Sequence, residues 1–232
     1  MLRRCGKVKI PSSIRKLLYL QTIHVPGSDV SSSLWDIPSL RYVYLCGISL
    51  PRRVQIPQTL QELHIWATHD ETEKDPIPTL EMLPCLVALE LRYYRPETMS
   101  FGAQGFPRLQ ELRLECCSIN KWMMEVGTMP RLSCLSFSAC WPWEGIPDGL
   151  LHLPSLSFLS LQGGNYSSDS TVEGLRQKGC EVTLPLKLTL FDSTSRDYNT
   201  QLFAGHMCYC FVINLRTAEM SVTIISWIML WL

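Results

Sequence analysis

The chain has 232 residues, 46% of them hydrophobic, with 21 basic and 21 acidic side chains. That length holds one or two domains, and zero formal net charge gives no bulk field to draw nucleic acid or anionic lipid. The N-terminal end is basic (Arg3, Arg4, Lys7, Lys9, Arg15, Lys16), with no acid before Asp29. Lys7, Lys9 and Pro11-Ser-Ser interrupt the apolar core a secretory signal needs, so the chain is expected to stay in the cytoplasm.

From Leu20 onward the chain writes apolar-x-x-apolar-x-apolar seven times. The stretches are Leu20-Gln-Thr-Ile23-His-Val25, Leu40-Arg-Tyr-Val43-Tyr-Leu45, Leu60-Gln-Glu-Leu63-His-Ile65 and Leu86-Val-Ala-Leu89-Glu-Leu91. Leu109-Gln-Glu-Leu112-Arg-Leu114, Leu132-Ser-Cys-Leu135-Ser-Phe137 and Leu156-Ser-Phe-Leu159-Ser-Leu161 follow. The starts lie 20, 20, 26, 23, 23 and 24 residues apart, inside the period of roughly 20–29 of leucine-rich repeats. Pro38, Pro84, Pro107, Pro130 and Pro154 each stand two residues before the first leucine of a stretch, and Pro57 three before.

One repeat explains itself physically. In the closing apolar-x-apolar the side chains alternate, so the two apolar residues point into a core and the x residues outward from a short strand. The first leucine enters from the preceding turn, where proline's fixed φ fits and no strand donor is needed. Each repeat has one side of a core, and stacking closes it. The pattern predicts an α/β solenoid, a leucine-rich-repeat horseshoe of seven to eight repeats with a parallel sheet on its concave face. Strands are expected at the seven stretches and an eighth at Cys180-Glu-Val-Thr-Leu184, with short helical turns on the convex side at 172–177 and 120–127. The division is residues 1–9, a basic end; 10–184, the solenoid; and 185–232, a C-terminal extension outside the repeat.

Ten cysteines suggest disulfides, but Cys117 and Cys140 lie three past the last apolar position of their stretches. A thiol serves there as a small buried hydrophobe with a weak donor. Ser28, Ile48, Thr68, Tyr94 and Gly164 hold that place elsewhere. Free thiols then suit a reducing compartment, and the Asn165-Tyr-Ser167 sequon is a coincidence.

Ile10-Pro-Ser-Ser-Ile14-Arg-Lys-Leu17-Leu-Tyr-Leu20-Gln-Thr-Ile23 resembles a phrase of plant nucleotide-binding leucine-rich-repeat disease-resistance proteins. Gly145-Ile-Pro-Asp-Gly-Leu150-Leu-His-Leu153-Pro-Ser-Leu156 is similar to their convex segment, and Glu173-Gly-Leu-Arg-Gln-Lys-Gly-Cys180 to the short helix that closes the array in cereal members of the coiled-coil class. The resemblance implies a non-catalytic recognition module of plant defence. Its partner would be a pathogen effector, a guarded host protein or a nucleotide-binding switch domain, with no nucleic acid, small-molecule substrate or membrane. A Walker A loop is missing, since Gly6-Lys7 is followed by Val8 with no glycine five residues earlier, so nucleotide binding does not carry over. No cofactor is expected, and the chain reads as the repeat region of such a receptor without its switch.

Other readings are weaker. The uncharged run at 222–232 is shorter than the roughly 17–25 residues of a membrane span. His206-x-Cys208-x-Cys210 lacks the second ligand pair of a usual zinc site, and no cysteine has an activating neighbour in sequence. An extracellular leucine-rich-repeat receptor or inhibitor shares the Gly145-Ile-Pro147 turn, but carries a regular asparagine ladder that is missing here. A repeat-only scaffold or adaptor is the third class. Outward x positions supply the candidate protein-binding residues: Tyr42 and Tyr44, Glu62, His64 and Trp66, Glu90 and Arg92, and Glu111, Arg113 and Glu115. Aromatics beside an arginine–glutamate band are the composition of a protein-binding hot spot.

Overall fold

The computed structural model describes residues 9–25, 29–30, 32–45, 56–66, 75–140, 145–162 and 169–184. All fall within the unit Met1–Leu188. Ser28, Ile48, Thr68, Gly164, the Asn165 sequon, the His206-x-Cys208-x-Cys210 motif and the 222–232 run lie outside the described residues, as does the side chain of Trp66.

Each repeat contributes one strand to a parallel sheet. The strands are β2 (Thr22–Val25), β4 (Tyr42–Leu45), β5 (Glu62–Trp66), β6 (Ala88–Arg92), β8 (Glu111–Glu115), β10 (Cys134–Ser138), β11 (Phe158–Gln162) and β12 (Glu181–Thr183). They pair in chain order, β2 at one edge and β12 at the other. All seven expected strands form, and the eighth as well. Their register repeats the sequence period: Val43 pairs with Leu63, Leu63 with Leu89, Leu89 with Leu112, and Leu112 with Leu135. In-register stacking puts every second side chain into one continuous core. Leu63, Leu112, Leu135 and Leu159 are fully buried, as are the turn leucines Leu40, Leu60, Leu86, Leu109 and Leu132.

The prolines do the work expected of them. In the turns entering β4, β8 and β10, the amide of the first leucine donates to the residue three before it: Leu40 to Ile37, Leu109 to Phe106 and Leu132 to Met129. Proline therefore occupies the second position of a β-turn, the one its fixed φ suits. At the other end of the strand, Tyr93, Cys116 and Ala139 take left-handed φ values of 57°, 53° and 52°. Each donates its amide to the neighbouring strand, to Glu115, Ser138 and Gln162 respectively. That kink breaks the alternation and turns the following residue, Tyr94, Cys117 or Cys140, into the core.

The convex side differs from expectation at one place. Residues 120–127 are not helical: Lys121–Met124 is a strand, β9, paired in parallel with β7 (Thr98–Phe101). Both segments are short, and β7 offers β9 a backbone partner one repeat away. Met99 and Phe101 go inward, and the Trp122 ring packs at 4.9 Å from Phe101 and 5.8 Å from Phe137. A smaller pair, β1 (Lys9–Ile10) and β3 (Asp29–Val30), forms likewise between the first two repeats. Among the described residues, the remaining convex structure comprises the 3-10 turns Ser12–Lys16, Ser32–Leu34 and Asp148–His152, and the helices α1 (Ile77–Leu80) and α2 (Ser170–Gln177). The expected helix at 172–177 thus forms, two residues longer at its start. No helix among the described residues is long and apolar enough to cross a membrane.

Candidate functional site

The outward positions of the sheet carry a continuous polar network, and its geometry follows from the register. His24, Tyr44, His64, Glu90 and Arg113 stand side by side on successive strands. Strands lie about 4.8 Å apart, so neighbours in such a row touch. The His24 and Tyr44 rings are 5.5 Å apart, and those of Tyr44 and His64 only 4.4 Å. His64 Nδ1 lies 2.9 Å from Glu90 Oε2; a carboxylate only accepts, so the imidazole donates there. Arg92, two residues along the same face, donates from Nε to Glu90 Oε1 and from Nη2 to Glu115 Oε2 at 2.9 Å. Arg113 donates to Glu111 on its own strand.

Tyrosine hydroxyls tie the row to its neighbours. Tyr44 donates to Glu62 Oε2 at 2.6 Å, and Tyr42 to Gln61 Oε1 at 2.9 Å. The bond to Glu62, with some burial, pushes the Tyr44 phenol up to about 12. Nine of the ten candidate residues therefore have side chains on this face in mutual contact or beside it. For the tenth, Trp66, the backbone closes β5 opposite Arg92.

Glu90 is the hub. It is 7% exposed although it sits on an outward position, because its neighbours cover it. The His64 hydrogen bond, opposed by burial and helped by Arg92, lowers its carboxyl from 4.5 to about 2. A depressed folded-state value stabilises the protein above the unfolded value, and the benefit is lost as pH falls from 4.5 through 2. Glu90→Gln should thus cost about 1–3 kcal/mol at neutral pH. In urea titrations run across pH, the gap between the two proteins should close between pH 4.5 and 2. A gap that persists unchanged at the acid end would show that the loss is not electrostatic.

Beneath the sheet, three ladder positions are filled in different ways. Cys117 donates to the Leu91 and Glu115 carbonyls at 3.4 Å, and Cys140 to those of Leu114 at 3.4 Å and Ser138 at 3.5 Å. The Cys140 hydrogen bond and burial push the Cys117 thiol up, so it is a structural donor rather than a nucleophile. In the fourth repeat Tyr94 replaces the small residue, and its hydroxyl reaches the Asp75 carboxylate, which also accepts from Ile77 N at 2.9 Å. Sequence reading identified Tyr94 as a ladder position but not Asp75 as its partner.

A cleft of about 400 Å³ opens where β9 begins, lined by Lys121, Trp122, Asp148, Asp169 and Thr171 among others. Its carboxylates are committed to structure. Asp148 accepts from the Thr171 hydroxyl at 2.8 Å, and Asp169 from the amides of Ile146 and Thr171 at 2.9 Å. Among the described residues, no three His, Cys, Asp or Glu side chains are placed to hold a metal.

One strand per repeat in a parallel sheet, with buried leucines stacked in register and turn prolines ahead of the strands, defines a leucine-rich-repeat array. The chain belongs to the leucine-rich repeat family, matching the model of a "Leucine-rich repeat region" over residues 9–177. Among its relatives in Arabidopsis thaliana, it is 30% identical to disease resistance RPP8-like protein 3 over 172 residues, 69% of this chain and 19% of that protein. It is 29% identical to disease resistance protein RPH8A over 66% of this chain and 18% of the relative. Against probable disease resistance protein RF9 the identity is 36%, over 66% of this chain and 15% of the relative. The resemblance to the repeat regions of plant disease-resistance proteins is thereby borne out. The chain spans less than a fifth of the length of these relatives.

Proposed function

We propose that the chain is a protein-recognition module of plant innate immunity, working in the cytoplasm without catalytic activity of its own. It binds a protein partner through the concave, outward face of the eight-stranded sheet. The observation that carries the reading is the network from His24 through Tyr44, His64, Glu90 and Arg92 to Glu115, which crosses five strands. Side chains already held by one another lose less conformational freedom when a partner docks, and that lowers the entropic cost of binding. Tyrosine and arginine are also the residue types enriched at the centres of protein interfaces.

The disease-resistance relatives support the defence role. Ladder thiols acting as hydrogen-bond donors to carbonyls suit a reducing compartment. The partner is a pathogen effector, a guarded host protein or a nucleotide-binding switch domain. Tagged chain incubated with extract of challenged leaves should co-precipitate it, and Tyr42→Ala with Tyr44→Ala should reduce the yield by about tenfold or more. Glu173→Ala on the exposed side of α2 should leave it unchanged. Equal capture by all three proteins, with unaltered melting curves, would remove the concave face from consideration.

A further inference from the structure

We propose that the partner of this face is a basic protein surface, one that presents arginine or lysine side chains to β4, β5, β6 and β8. The proposal rests on the concave-face reading above and adds the chemistry of what docks there. The chain as a whole is neutral, with 21 charges of each sign. The described outward positions are not: they hold five glutamates, Glu62, Glu90, Glu111, Glu115 and Glu181, against two arginines. The face therefore carries an excess of negative charge that the rest of the chain balances.

Both arginines are already answered from within. Arg92 spans Glu90 and Glu115, and Arg113 holds Glu111. An acidic partner would have to draw a guanidinium away from its own carboxylates and leave them unpaired beneath the interface, which costs more than a new pair returns. A basic partner meets the surplus instead: Glu62, bonded to the Tyr44 hydroxyl, and Glu181 hold no guanidinium of this face. Four of the five glutamates lie on three adjacent strands, with Glu62 and Glu111 in one register row, two strands or about 10 Å apart. Beside them, the Tyr44 hydroxyl bonds the Glu62 carboxylate at 2.6 Å. An aromatic ring next to a carboxylate is a pairing that a guanidinium uses fully, because it stacks and hydrogen-bonds with the same planar group.

Three fluorescein-labelled peptides of one sequence, with arginine, glutamine or glutamate at the same positions, test the assignment by fluorescence anisotropy on the full chain. The arginine peptide should bind about tenfold tighter than the glutamine one, weaken as salt rises, and bind the glutamate-reversed variants Glu62→Arg and Glu111→Arg about tenfold more weakly. The glutamate peptide should gain on those variants. Melting curves of the variants matching the parent would show that the fold is kept. Tighter or equal binding of the glutamine or glutamate peptide, lost on Tyr44→Ala, would overturn the charge assignment while leaving the concave face as the site. Arginine-peptide binding that ignores both Tyr44→Ala and the reversals would overturn this proposal and the concave-face reading together. Failure of the arginine peptide to bind would overturn the charge assignment alone.

Discussion

Leu112→Ala is expected to lower the unfolding free energy by about 2–5 kcal/mol, read as a fall in the urea midpoint. Leu112 is fully buried in β8, at the middle of the sheet, and pairs with Leu89 on one side and Leu135 on the other. The substitution removes three carbons from a layer that two neighbouring repeats share. In a stacked array, stability is approximately a sum of repeat terms and nearest-neighbour terms, so one cavity here weakens two interfaces at once. Leu156→Ala offers the internal comparison, because Leu156 is a turn leucine only half-buried against the core. It should cost clearly less. Equal losses at the two positions would contradict the view that the central layers carry the stability.

Why the sheet was legible is clear from the same residues. Leu89, Leu112 and Leu135 recur every 23 positions, and in a parallel stack the sequence period becomes the strand register. Period and alternation together fix which residues are inside, which are outside, and which stand side by side. The polar network follows by the same logic. His24, Tyr44, His64 and Glu90 occupy one register row, and Arg92 faces Glu115 in another. Alternation alone marked all of them as outward. It did not show that Glu90 would be covered by His64 and Arg92, because burial of an outward residue depends on how its neighbours' side chains fold over it.

The convex side was harder to read for a physical reason. Lys-Trp-Met-Met at 121–124 has no turn proline or strand-type alternation to separate it from a helical turn. It becomes a strand because Thr98–Phe101 supplies hydrogen-bond partners, and those partners lie 23 residues earlier, the same offset as the ladder leucines. The first pair, β1 and β3, likewise follows the local offset of 20. A further 23 residues on, Gly145 and Pro147 occupy the matching stretch, and proline has no amide to give a third strand. The chain turns instead into the 3-10 segment Asp148–His152. The Tyr94–Asp75 contact was illegible for a different reason: Asp75 precedes the short helix α1, at a distance from Tyr94 that no repeat period specifies.

Asp169→Ala is expected to destabilise the last two repeats by about 2–3 kcal/mol while leaving the centre of the sheet nearly unaffected. Asp169 is the N-cap of α2. Its Oδ1 accepts from the amides of Thr171 at 2.9 Å and Val172 at 3.4 Å. Its Oδ2 reaches back one repeat to the amide of Ile146 at 2.9 Å, beside Gly145 in a positive-φ conformation. One carboxylate thus satisfies three backbone donors and joins helix to turn. Removing it frays α2, whose Val172 and Leu175 are buried against the array, and β12 hangs on that helix through the Cys180 amide bond to the Leu175 carbonyl. Asp169→Asn, with a single acceptor oxygen, can keep the cap or the Ile146 bond but not both, and should fall between the two proteins. Native-state hydrogen exchange separates the outcomes. Protection should drop at Leu175, Cys180 and Glu181 and persist at Leu89 and Leu112. A uniform loss along the whole ladder would mean that the repeats unfold as one unit, and that Asp169 stabilises every layer equally.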